Sequence, residues 1–143
     1  MIDPKESQDI GLFRVNLENF AIDNMDIFKA SLEDICRYSA ECQYALNMGN
    51  RAKAFELDSL FHVALIRTAN NTAFTDTYER LDAKIQLLRV RQNESNEKLL
   101  EYIVQHTKLI ELIKNGRKEE AKELMNIHIL HDVNMSIQPG DSV

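Results

Sequence analysis

Between Pro4 and Pro139 the sequence contains no proline. Proline lacks a backbone donor and its ring clashes with the preceding helical turn, so a long proline-free stretch lets the backbone run in uninterrupted helices. Glycine is nearly as scarce, at 4 of 143 residues. A β fold of this length needs many turns, and turns draw on Gly and Pro. The chain is therefore expected to be all-α. Its length fits one domain around one core, and 44% hydrophobic residues supply the interior.

The spacing of apolar residues predicts six helices. They are expected at about Ser7–Asn24, Asp26–Met48, Ala52–Ala69, Ala73–Asn93, Glu97–Lys114 and Arg117–Met135. In the fourth, Phe74, Tyr78, Leu81, Ile85, Leu88 and Gln92 recur at helical spacing and mark one apolar face. Asn24 or Asp26 suits the start of the second helix, Thr72 the fourth, and Ser95 or Asn96 the fifth. Gly49 and Gly116 suit left-handed positions that end helices. The connections are short, so neighbouring helices should run antiparallel as a bundle. The tail from Gln138 to Val143 is expected to be frayed.

The balance of 17 Lys+Arg against 23 Asp+Glu gives a formal charge of −6. That is a poor match for a phosphate backbone, and no basic run is present to offset it. Cys36 and Cys42 lie six residues apart, about 120° around a helix axis, so they are not placed to bridge. Two reduced, small apolar residues of an intracellular protein is the simpler reading. The first residues lack a signal-peptide pattern, and no apolar run is long enough to span a membrane. A cytoplasmic chain without membrane contact is expected.

The third helix carries the chemistry. Asp58 and His62 are i and i+4, so their side chains rise from one face, one turn apart. Around them Phe55, Leu57, Leu60, Phe61, Val63, Ala64, Leu65 and Ile66 make the helix apolar on nearly every side. Such a helix sits centrally, and a central carboxylate needs a partner because burying an unpaired charge is costly. His106 shares the face of Ile103, Leu109 and Ile110 on the fifth helix, and His128 that of Leu124 and Met125 on the sixth. Three inward imidazoles and one inward carboxylate can surround a common point. They suit one divalent transition metal (Zn, Ni, Mn, Fe or Co) and disfavour Ca or Mg. His131, near the end of the last helix, is read as peripheral.

These residues fall into a familiar layout. Arg14-x-x-Leu17-Glu18-x-x-Ala21, Asp58-x-x-Phe61-His62, Thr68-Ala69-Asn70-Asn71 with Phe74, and His106 followed by Leu109-Ile110, Ala121 and His128 span most of the chain. Together they resemble the C-terminal effector-binding (FCD) domain of FadR-type regulators of the GntR family. The resemblance implies an antiparallel helical bundle with a central metal and ligand cavity, and a homodimer. It implies that Asp58, His62, His106 and His128 bind the metal, and that a small organic acid completes the coordination. It also implies that the acid shifts the dimer arrangement and so the DNA-binding domains. The family's winged helix-turn-helix is absent from this sequence, so DNA is expected to be reached only through such a domain elsewhere.

An acid effector needs a cation besides the metal, and arginine suits a carboxylate. Arg14, among apolar neighbours, is the first candidate and Arg89, beside Leu88, the second. Asn71 is the third effector-facing residue, although it also suits fixing the turn it occupies. A metalloenzyme acting on a small carboxylate and a plain helical dimerisation domain are the competing functions. No nucleophile–base pair is apparent to favour catalysis, and the chain is expected not to be an enzyme.

Overall fold

The computed structural model of the chain describes residues 4–26, 32–90 and 94–136. Six helices account for most of them: α1 Pro4–Asn24, α2 Glu33–Asn47, α3 Arg51–Arg67, α4 Thr72–Val90, α5 Asn96–Lys114 and α6 Lys118–Ser136. No described residue lies in a strand. The fold is the all-α bundle expected from the proline-free sequence.

The helix ends follow local chemistry. Asn50 caps α3 by accepting from the Lys53 N–H at 3.1 Å. Ser95 caps α5 in the same way, accepting from the Lys98 N–H at 3.3 Å. Gly49 and Gly116 take φ of 78° and 70°, the left-handed positions expected of them.

Two expectations change. The second helix was expected from Asp26 and starts at Glu33. Asn24, one of its expected caps, instead donates its amide to the Phe20 carbonyl at 2.8 Å and closes α1. Glu33 and Asp34 then place negative charge in the first turn of α2, complementing the helix dipole. The fourth helix is capped by Asn71, not Thr72: the Asn71 side chain accepts from the Phe74 N–H at 3.0 Å. Ile27, the end of the fourth helix at Gln92 and Asn93, and the tail from Gln138 to Val143 lie outside the described residues.

α3 is central, packing on α1, α2 and α4. α6 packs on α1 and α5, and α5 also on α2. The main core joins Ile22, Ile35, Phe61, Leu65, Leu109, Met125 and Ile129. Each such side chain is worth about 1.5–3 kcal/mol on burial. α1 and α6 approach closely at Gly11, where a Cβ would lie 2.5 Å from Val133 Cγ2. Cys36 is half-buried and Cys42 buried, and both are free thiols. Among the described residues, no helix is long and apolar enough to cross a membrane.

Candidate metal centre

The bundle brings Asp58 and His62 of α3, His106 of α5 and His128 of α6 to one point. Their ligand-type atoms all lie within 4.8 Å of one another. Each of the four is no more than 1% exposed. Asp58 Oδ1 is 2.7 Å from His106 Nε2 and 3.3 Å from His62 Nε2. His128 Nε2 is 3.3 Å from His62 Nε2. Ligand atoms bonded at about 2.0–2.2 Å to one small divalent ion are spaced by about 3 Å, so these residues fit such an ion.

Each ligand is aimed by a neighbour. Asp58 Oδ2 accepts from Arg89 Nη2 and from the Tyr102 hydroxyl, the latter at 3.0 Å, which turns Oδ1 to the histidines. Glu18 engages His62 at Nδ1, and the Gln105 side-chain oxygen engages His128 Nδ1 at 2.7 Å. Both rings therefore present Nε2 to the centre. Phe61 stacks on His106 with centroids 4.0 Å apart, and Tyr102 stacks on His128 at 4.0 Å. These rings restrict the imidazoles to one orientation.

Among the described residues, five buried side-chain atoms of the centre lack an aligned hydrogen bond: Asp58 Oδ1, both ring nitrogens of His106, and the Nε of Arg14 and of Arg89. Asp58 Oδ1 and His106 Nε2 are both fully buried and neither forms one, although they lie close together. Buried polar atoms are seldom left so, because each forfeits its hydration without return. A cation bound by both atoms would satisfy them together.

The charges are unevenly distributed. Burial favours the neutral form of Asp58, but Arg89 and His62 outweigh it and hold the carboxyl well below its ordinary range. Burial also opposes charge on His62, yet Glu18 and Asp58 raise it to about 9. Burial lowers His106, against the pull of Asp58. It lowers His128 far more, with His106 and His62 adding to the effect. One imidazolium and two neutral imidazoles therefore face a carboxylate when no metal is bound.

Arg14 and Arg89 both reach the centre. Arg14 is 2% exposed and donates to Asp132 Oδ2 at 2.6 Å. Its Nε lies 3.7 Å from Glu18. Arg89 holds Asp58, donates to the Phe55 carbonyl at 3.0 Å, and lies 3.4 Å from Asp132 Oδ2. Asn71 is not brought there: it is exposed, and it serves as the α4 cap. His131 is half-buried at the edge of the Tyr102 ring, 6.3 Å between centroids. Arg89 and Tyr102 contact Asp58 directly, and Asp132 with Arg14 lies next to them. A cavity of about 500 Å³ lies elsewhere, lined by Tyr38, Leu60, Val63, Ala64 and Thr68 among others and by none of the four.

Sequence reasoning missed Asp132, Gln105 and Tyr102, and it gave Glu18 no part in the centre. Asp132 was within reach, since it follows His128 by four residues and so shares its face.

The sequence model of the FCD domain matches residues 13–131. No curated protein matches the chain. Among solved structures, the metal-free FCD domain of TM0439, described as a candidate transcriptional regulator, is 25% identical with a TM-score of 0.80. That match covers 96% of this chain and 95% of the other. A candidate GntR transcriptional regulator from Rhodococcus sp. RHA1 has a TM-score of 0.86 at 12% identity. It is matched over 95% of this chain and 66% of its own, and at that identity the likeness speaks for the fold alone.

Proposed function

The chain belongs to the FCD domain family, and on that premise we propose that it is the metal-dependent, small-acid-sensing domain of a GntR-type transcriptional regulator. The observation that carries the reading is a pair among the buried central atoms without aligned hydrogen bonds, Asp58 Oδ1 and His106 Nε2. Asp58, His62, His106 and His128 hold a divalent transition ion (Zn, Ni, Mn or Fe). When bound, the ion supplies a Lewis-acid position to which a carboxylate can coordinate. Glu18 and Gln105 orient the imidazoles. Arg14 and Arg89 supply the positive surroundings that an acid requires, while Asn71 acts as a helix cap.

The centre ties α3, α5 and α6 together. An effector that favours one arrangement of these helices shifts the population toward it. In the proposed assembly the shift passes through a homodimer to attached winged-helix domains, which alone contact DNA. Leu12 and Phe13 on α1, with Ile127 and Leu130 on the adjacent α6, are exposed apolar side chains suited to a dimer face. A sensor is favoured over an enzyme because the carboxylates beside the ligands are engaged: Glu18 by His62 and Asp132 by Arg14.

A thermal-shift series tests the reading. Small carboxylates should stabilise the metal-loaded protein and leave the metal-free protein unmoved. Equal stabilisation of both forms, or none with any acid, contradicts it.

A further inference from the structure

Asp132 lies one turn beyond His128 on α6 and is 3% exposed. Its Oδ2 accepts from Arg14 Nη1 at 2.6 Å and stands 3.4 Å from Arg89 Nη2. Arg89 in turn holds Asp58, a proposed metal ligand. The two arginines offered above to an acid effector are thus already engaged by a carboxylate of the chain itself.

The buried charges then limit what the centre can accept. Among the described residues, Arg14 and Arg89 are positive; Asp58, Glu18 and Asp132 are negative. A divalent cation held by three neutral imidazoles leaves one positive charge over. Buried surplus charge is costly, and a single carboxylate cancels it. A dicarboxylate would overshoot, and its second group would compete with Asp132 for the same arginines. With Asp132 neutralised, the surplus becomes two and Arg14 loses its nearest carboxylate.

We propose that Asp132 is a built-in carboxylate that occupies the arginine pair and sets the metal-loaded centre for singly charged acids over di- and tricarboxylates. This rests on the metal-and-acid reading above and specifies its ligand class.

Calorimetric titration of the zinc-loaded protein tests it, with acetate, butyrate and valerate compared with chain-matched succinate and glutarate. Wild type should bind the best monocarboxylate more tightly than its chain-matched diacid. Asp132→Asn should keep its zinc and move the ratio toward the diacid by at least about tenfold. Asp132→Glu, which retains the charge, should keep the wild-type order. Tighter diacid binding by wild type, or an unchanged ratio in Asp132→Asn, overturns the inference and leaves acid sensing intact. Failure of every acid to bind overturns both. The wild-type order is decisive by itself if Asp132→Asn does not fold.

Discussion

The Nδ1–H of His128 donates to the side-chain oxygen of Gln105 across 2.7 Å. That oxygen can only accept, so the ring proton sits on Nδ1 and the Nε2 lone pair faces the other ligands. Gln105→Met keeps the length of the side chain and removes the acceptor. Zinc affinity should fall by about 10–100-fold with helicity unchanged. Competition against a chelator of known affinity measures it, and an unaltered affinity would remove Gln105 from the centre.

Metal binding should release a proton. With Glu18 and Asp58 outweighing burial, His62 is raised to about 9 and is charged at neutral pH in the metal-free protein. Below that value an incoming ion must displace the His62 proton, so zinc affinity should rise with pH and level off above about 9. His106 and His128 are lowered and add no release at neutral pH. Calorimetry in two buffers of different ionisation enthalpy should count about one proton per ion. A count near zero would contradict the charge assigned to His62.

The six helices and the inward faces of α3, α5 and α6 were legible in the sequence because each depends on spacing along one helix, whereas the meeting of Asp58, His62, His106 and His128 was expected from those faces together with the family resemblance. Their partners were not legible. Whether Arg14 meets Glu18 or Asp132 depends on how α1 lies against α6, which no local pattern encodes. Gln105 is adjacent to His106 yet serves His128, for the same reason.

The α1–α6 contact should be intolerant of a single methyl group. In Gly11→Ala the new Cβ would lie 2.5 Å from Val133 Cγ2. The clash, about 1–3 kcal/mol, outweighs the gain of about 1 kcal/mol in helix propensity. Denaturant unfolding should show a net loss of about 1 kcal/mol. Adding Val133→Ala should make the alanine at position 11 neutral or favourable; a clash felt equally in both backgrounds would place its cause elsewhere.

Asp58 should matter to the metal-free fold as well. Its carboxylate holds Arg89 and accepts from Tyr102 in the interior. Asp58→Ala should destabilise metal-free protein by about 3 kcal/mol, since it strips the buried Arg89 of a main partner. Chemical denaturation in the presence of a chelator measures this, and a loss below about 1 kcal/mol would mean that Asp132 alone suffices to hold Arg89.

Metal content tests the central claim most directly. Protein stripped with a chelator, reloaded with zinc and desalted should carry one ion per chain by elemental analysis. The variant combining His106→Ala with His128→Ala, checked for retained helicity, should carry none. Wild-type protein that takes up no metal, or a double variant that holds as much as wild type, would contradict a metal centre formed by Asp58, His62, His106 and His128.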